Sequence, residues 1–491
     1  MSSSRSECCW IAALALCCSV ATAAEIHSSV RADARANGSV DAIIVFADQS
    51  RPPLPLAAAE NYHERRRALV DALRSRAERA QRDVRAWLDA HGIAHRDFWI
   101  ANLVQARIPA ALLDELGARG DIVRIDPNPL IALHLPSAPA APTLTASIAW
   151  GVTKIEAPQV WAAGFTGQGV VIGGEDTGYQ WNHPALKTHY RGWNGTSADH
   201  NYNWHDAIHD ATGNPCNNDA PAPCDDNGHG THTAGTFAGD DGGSNQIGVA
   251  PGARWIGCRN MDQGAGTPAR YIECMQWLLA PTDLAGNNAN PDLAPDVISN
   301  SWSCPAAEGC TLGGELEAAV DNLVAADIFY VAAAQNYGTQ GCATIFDPPA
   351  IYDASFVVGA TDSSDALANF SSLGPVSGSA LIRPDLVAPG EAIYSSVPSN
   401  AYGTKSGTSM ATPHVAGAAA LLMSAFPALK GKPREVGQIL RANAVSGVSD
   451  SVVQSCGGTP ITTWPNYLAG YGRLDVWNAY RDIIFIDGLD N

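Results

Sequence analysis

Three short stretches set an acid, an imidazole and a hydroxyl beside glycines. Asp176 ends the apolar run "GVVIGGED" and is followed by Thr177-Gly178. His229 lies in "NGHGTHTAGTFAG" (Asn227–Gly239) and Ser409 in "GTSMATPHVAG" (Gly407–Gly417). Together they are the parts of a serine triad: a nucleophilic hydroxyl, a base to take its proton, and a carboxylate to orient the base. Each part also has a plainer reading. Asp176 alone is a turn residue at a strand end. Ser409 alone is an N-cap for the helix that "AAALLM" (Ala418–Met423), apolar all round, announces. Pro413 then belongs to the first turn of that helix, where proline fits. As a nucleophile in the same place, Ser409 would have its oxyanion held by the helix N–H groups. Asp-Thr-Gly also serves aspartic peptidases, but those need a second such carboxylate, and this chain has no second D-T-G or D-S-G. His229 and His232, three apart, suggest a metal pair. There is no H-E-x-x-H pattern and no cysteine at ligand spacing, so His232 reads as a core histidine.

These residues need elements to hold them. From about Trp150, short apolar strands alternate with helical runs: 169–176, 254–260, 295–302, 328–336, 355–361 and 383–390, with a helix over 312–327. That pattern predicts an α/β fold, a largely parallel sheet sandwiched by helices. Its site belongs at the carboxyl ends of the strands. Residues 39–130 predict a separate small unit. A strand (Val40–Asp48), a helix (Arg65–Gly92), one or two strands (Asp97–Ile108), a helix (Pro109–Gly120) and a last strand give a split-βαβ arrangement. The stretch "HLPSAPAAPTLTAS" (His134–Ser147) that follows has linker composition.

Charge and cysteine divide the chain in the same place. Residues 25–140 carry 15 Arg against 15 Asp and Glu; beyond 140 there are 14 basic and 33 acidic side chains, which accounts for the net −19. So acidic a surface argues against nucleic acid, which needs a basic face. The N-terminus reads as an export signal: Arg5, an apolar run from Trp10 to Ala24, and the small-residue pattern Ala21-x-Ala23. The run is too short to span a membrane, and no later stretch is long and apolar enough. Four of the 12 cysteines lie in this signal; the other eight, Cys216, Cys224, Cys258, Cys274, Cys304, Cys310, Cys342 and Cys456, suit disulfides in an exported protein. Cys216 with Cys224, Cys258 with Cys274, and Cys304 with Cys310 are the pairings that proximity suggests, with Cys342 a competitor for either Cys304 or Cys310.

"VVIGGEDTG", "HGTHTAGT" and "GTSMATPHVAGAAALL" resemble the three signature segments of the subtilisin-like serine peptidases, the subtilases. "WNHPAL", "YNWHDA", "CMQWLLAPTD" and "APDVISNSW" resemble more particularly the bacillopeptidase F-like branch, and residues 39–130 are similar to the family's inhibitory propeptides. The resemblance implies Asp176, His229 and Ser409 as the triad. It implies the Asn336 amide and the Ser409 N–H as the oxyanion hole, since "VAAAQNYG" (Val331–Gly338) resembles the oxyanion segment. It implies that Ser301, Trp302 and Ser303 pair with an extended substrate and that Ala333, Ala334 and Gln335 form the opposite pocket wall. The chemistry needs no cofactor. The loop "AGDDGGSNQIG" stands where the family has its main calcium loop; Asp240 and Asp241 make structural calcium a candidate, though glycines occupy expected ligand positions.

The implied organisation is a signal peptide (1–24), an inhibitory propeptide domain (25–134), a linker with the maturation site (135–149), a peptidase domain (150–482) and a short tail (483–491). The implied protein is secreted and extracellular, a monomeric zymogen. It acts on protein and peptide substrates and is held by its own propeptide, with no nucleic-acid or membrane partner. Two rivals compete with it: a catalytically silent peptide-binding relative, and a metal hydrolase using His229, His232 and the acidic loop. The family's usual pocket glycines are Ser303 and Gln335 here. Side chains entering the pocket would overpack a large aromatic, so a bias toward small or medium residues before the scissile bond is expected. Asp225-Asp226 reads as a solvated acidic run.

Overall fold

The computed structural model describes residues 23–49, 61–136, 148–305 and 315–487. The expected signal up to residue 22, most of the linker, and Cys310 lie outside the described residues. The N-terminal unit is a five-stranded sheet of β1 (Glu25–Ile26), β2 (Ser39–Phe46), β3 (His95–Phe98), β4 (Leu103–Pro109) and β5 (Ile122–Pro127), in the order β1-β5-β2-β4-β3. The pairs β5–β2, β2–β4 and β4–β3 are antiparallel. The helix Tyr62–Ala90 joins β2 to β3, and the helix Leu113–Gly117 joins β4 to β5, which is the split-βαβ pattern. Asn61 starts the long helix by accepting the Glu64 N–H with its side chain. The second helix is shorter than its sequence suggests: Pro109 still belongs to β4, and a 3₁₀ turn (Ala110–Leu112) intervenes. The edge strand β1, parallel to β5, and the helix Ser28–Asn37 were not expected.

One strand leaves this unit. β6 (Ile131–Ala132) pairs with a hairpin of the following unit, formed by β10 (Met261–Asp262) and β11 (Ala265–Gly266). The main sheet there has seven strands: β7 (Val171–Asp176), β8 (Trp204–Asp206), β9 (Arg254–Arg259), β12 (Val297–Asn300), β13 (Phe329–Ala333), β14 (Phe356–Thr361) and β15 (Leu386–Pro389). They run in the order β15-β14-β13-β12-β7-β9-β8, every pair parallel. β12, β13, β14 and β15 are buried along their whole length, as strands covered on both faces must be. β8 escaped the sequence reading because its Trp-His-Asp carries no apolar run. The helix Thr408–Ala425 crosses behind the sheet, buried from Thr408 to Met423. Gly417 lets it touch the helix His229–Ala238: a methyl there would lie 3.1 Å from the Phe237 carbonyl oxygen.

The chain's last helix, Val476–Asp487, runs through the expected boundary at 482. Ile483 and Ile484 pack on the core, so the first residues of the expected tail belong to the domain. Disulfides join Cys216 to Cys224, Cys258 on β9 to Cys274 on the helix Pro268–Leu279, and Cys342 to Cys456. Cys342 therefore does not compete for Cys304, which is itself disulfide-bonded.

Candidate active site

The three neighbouring strands β13, β12 and β7 end at one edge of the sheet, and each delivers a site residue there. β7 ends in Asp176, β12 runs into Ser301, and β13 into Ala334-Gln335-Asn336. Asp176 and His229 are 2 % and 0 % exposed. Asp176 Oδ1 accepts the Thr177 N–H and a 2.7 Å hydrogen bond from His229 Nδ1, while Oδ2 accepts from Thr233 Oγ1 at 3.2 Å. The carboxylate thereby fixes the proton on Nδ1 and leaves His229 Nε2 with its lone pair. Nε2 makes no hydrogen bond. Asp225 secures the start of the histidine helix. Its carboxylate accepts Thr177 Oγ1, Gly228 N, Thr231 N and Thr231 Oγ1. Asp226 meets Arg259 Nη1 at 3.3 Å, both side chains fully buried. The solvated reading of this acidic pair is thus corrected: both carboxylates are structural.

Ser409 is the second residue of its helix, and no side chain caps that helix at Gly407. The N-cap reading therefore fails. Pro413 sits in the second turn, deeper than expected. It lacks an N–H, so the carbonyl of Ser409, four residues earlier, loses its helical partner. Ser301 Oγ donates to that carbonyl at 3.0 Å, and Ser409 Oγ donates to the Ser301 carbonyl at 2.9 Å. The proline is tolerated because a side chain takes over the orphaned acceptor. The hydroxyl of Ser409 rests on Ser301 and has to rotate away before it can give its proton to an imidazole, the slack expected of a resting site.

Asn336 faces the same helix mouth. Its Oδ1 accepts both the N–H and the O–H of Thr408, at 2.9 and 3.1 Å, which turns its Nδ2 toward the cleft. Nδ2 donates at 3.1 Å to the backbone carbonyl of His134. That carbonyl is brought there by β6: Ile131 and Ala132 lie antiparallel to β11, and Leu133 N donates to Gly264 O at 2.7 Å. Beyond it, Pro136 Cδ is 3.7 Å from where a methyl on Gly407 would lie. The chain's own segment thus occupies the cleft as an extended peptide. Its strand partner is Gly264–Gly266 and not Ser301–Ser303, which make no backbone hydrogen bond to it among the described residues. The Gly-Ala-Gly run was the overlooked signal for a close backbone approach. Thr408 and Thr233 gave none.

Ser301, Trp302, Ser303, Ala333 and Gln335 line, with Asn336, Thr408, Ser409 and His134, a cavity of ≈ 20 Å³, about room for one water. Ala334 does not; it packs away from the cleft with Ile345, Ala350, Val357 and Val376. Gln335 adopts φ 79°, a left-handed conformation that explains why glycine suits this position. Its side chain is 3 % exposed: Nε2 donates to Asp347 O at 2.6 Å and Oε1 accepts from Phe346 N at 3.3 Å. Trp302 is buried and stacks on Tyr271 at 3.8 Å.

Both carboxylates of the loop named as a calcium candidate accept protein donors. Asp240 Oδ1 accepts from Gly242 N, and Asp241 uses both oxygens on Gly243, Asn245 and Tyr402. No group of three or more His, Cys, Asp or Glu among the described residues is arranged around a metal. His232 Nε2 donates to the Ile393 carbonyl at 2.9 Å, and burial pushes its pKa down to about 3, as befits a neutral core histidine.

Residues 167–459 match the model of the subtilase family. The chain belongs to the subtilase family. Bacillopeptidase F of Bacillus subtilis (strain 168) is 35 % identical over 454 residues, 88 % of this chain and 30 % of that protein. Subtilisin DY of Bacillus licheniformis is 35 % identical over 284 residues, 58 % of this chain and 87 % of the relative. Subtilisin NAT of Bacillus subtilis subsp. natto is 34 % identical over 282 residues, 57 % of this chain and 62 % of the relative. The match thus spans under a third of Bacillopeptidase F. The seven-stranded parallel sheet between helices is the subtilisin-like fold of this family of serine peptidases.

Proposed function

We propose that this subtilase is the precursor of an exported serine endopeptidase, acting on protein and peptide substrates as a monomer. Asp176, His229 and Ser409 are its triad. Ser409 Oγ attacks the substrate carbonyl carbon while His229 Nε2 takes its proton. Asp176 keeps His229 in the Nδ1–H tautomer and stabilises the imidazolium. The oxyanion is met by Asn336 Nδ2 and the Ser409 N–H. His229 returns the proton to the departing amine, leaving an acyl-enzyme that water cleaves by the same steps reversed. The chemistry calls for no cofactor.

The observation that carries this reading is the His134 carbonyl held by Asn336 Nδ2 at the mouth of the Ser409 helix. It supports His134–Leu135 as the bond cut on maturation. Residues 1–24 would be the export signal. Residues 25–134 would be the propeptide, which remains in the cleft as a product-like inhibitor. Residues 135–149 would be the linker and 150 onward the peptidase. Replacing Ser409 by alanine should accumulate uncleaved precursor, where the wild type yields a new N-terminus at Leu135 by mass spectrometry. Normal processing of Ser409→Ala in a protease-free host would overturn the reading.

A further inference from the structure

The residue presented for cleavage lines the pocket behind it but turns its ring outward. Gln335 is one of the residues that line that pocket, and with the chain's own segment in place ≈ 20 Å³ is left. The His134 side chain is exposed, and its ring lies on Tyr337, centroids 5.6 Å apart and planes within 11°. Tyr337 in turn stacks on Phe346 at 5.1 Å and 20°. Phe346 is 43 % exposed, so this aromatic surface continues past the end of the occupying segment. The wall is held from behind. Tyr337 N donates to Ser372 Oγ and Gly338 N to Phe370 O. The Gln335 amide bridges Asp347 O and Phe346 N, so a residue that lines the pocket also fixes Phe346 against Tyr337.

We propose that the side chain before the scissile bond is selected outside the pocket, on the ring surface of Tyr337 and Phe346. The favoured substrates then carry a flat side chain there: imidazole, an aromatic ring or guanidinium. This rests on the peptidase reading above and replaces the expected bias toward small residues. Offset stacks at 4.5–7 Å suit rings, and a guanidinium plane lies on a ring equally well. Leucine and valine cannot lie flat, and the ≈ 20 Å³ behind the segment is too small to bury them.

The test uses the full chain and follows self-cleavage after position 134. His134→Phe should be cut within about twofold of the wild type, whereas His134→Leu and His134→Val should be about three- to tenfold slower, the worth of one ring stack. Tyr337→Ala should slow the His134 chain by a similar factor and shrink the His-to-Leu ratio to under about twofold, while Tyr337→Phe should keep it. Leucine or valine cut as fast as histidine, or a ratio that survives Tyr337→Ala, would overturn the proposal. The same set in the Ser409→Ala chain is read by hydrogen exchange at the Leu133 amide, which needs no catalysis. There the flat side chains should protect that amide more than leucine does, and equal protection would also overturn the proposal. Cleavage of the Ser409→Ala chain itself would instead refute the triad, with the exchange ratios still deciding the ring surface.

Discussion

Asn336 acts through Thr408, since only the Oδ1 contacts to Thr408 point its amide nitrogen into the cleft. Thr408→Val removes the O–H contact and keeps the N–H one, a loss of about 1 kcal/mol in a neutral hydrogen bond. On the peptidase reading, kcat should fall roughly fivefold with KM little changed, and Thr408→Ser should restore it. A rise in KM alone, or failure of serine to rescue, would remove Thr408 from the oxyanion hole. Gln335→Gly should relieve left-handed strain of about 1–3 kcal/mol while losing two hydrogen bonds of about 1 kcal/mol each. Stability should therefore change little, but the pocket opens and aliphatic and aromatic side chains should both gain access. A peptide library showing no broadening would mean that Gln335 does not govern the pocket. At this scale Asp176 was legible as a polar residue that ends an apolar run beside glycine, and His229 and Ser409 as an imidazole and a hydroxyl near glycines, while Asn336 came from the resemblance of its segment to the family's. The sequence was silent on the threonines, whose hydroxyls are informative only once their partners are in place, and the resemblance set Ala334 in the pocket wall where it packs instead with Ile345, Ala350, Val357 and Val376.

The helix Pro268–Leu279 shows what an element adds. It binds Cys274 to β9, stacks Tyr271 under Trp302, and offers Gln276 Oε1 to the N–H groups of Trp99 and Ile100. It also places Glu273 between His205 Nε2 and His209 Nε2, at 2.8 and 2.9 Å. Burial alone would raise the Glu273 pKa, but the two histidine hydrogen bonds outweigh it and hold the carboxyl well below its ordinary 4.5. Burial lowers His209, yet Glu273 and Asp219 pull it above its ordinary 6.5. The signs fix a window. Glu273 stabilises above pH 4.5 and loses that contribution as pH falls below it; His209 stabilises below pH 6.5 and loses it as pH rises through its higher folded value. Glu273→Gln should therefore cost most between those values and less at pH 8, measured by urea midpoints. A larger cost at pH 8 than at pH 5.5 would contradict the linkage. Long elements with a clear period, such as β12 to β15 and the Ser409 helix, were legible to within a few residues. β6, β8 and β11 were not, because strands of two or three residues are defined by their partners and carry too few side chains for a pattern.

Across the whole molecule, composition separated an N-terminal unit without net charge or cysteine from an acidic, disulfide-bearing one, but it could not reveal that the two share a core. Val45, Leu69, Leu73 and Phe98 of the first pack in one cluster with Ile272, Met275, Leu316 and Leu323 of the second. Arg66 enters the second unit and is 1 % exposed. Its guanidinium donates to the carbonyls of Ala326 at 3.0 Å, of Pro291 and Ala294 at 3.4 Å, and of Pro295 at 3.5 Å. Burial lowers its pKa, with Asp296 the chief opposing charge, so the arginine is worth its desolvation only while it serves these acceptors together. Arg66→Met keeps most of the apolar stem but leaves the carbonyls buried without a donor. The expected cost is about 1–3 kcal/mol, and it falls on the precursor alone, because water replaces the guanidinium once the N-terminal unit departs. In the Ser409→Ala chain, Arg66→Met should lower the urea midpoint. In the active chain, it should shorten the time for which the cleaved unit stays bound by roughly 5- to 150-fold. The processed enzyme, freed of residues up to 134, should melt as the wild type does. Retention unchanged by the substitution would mean that the shared apolar core alone holds the two units together, and an altered processed enzyme would mean that Arg66 acts during folding and not at the interface.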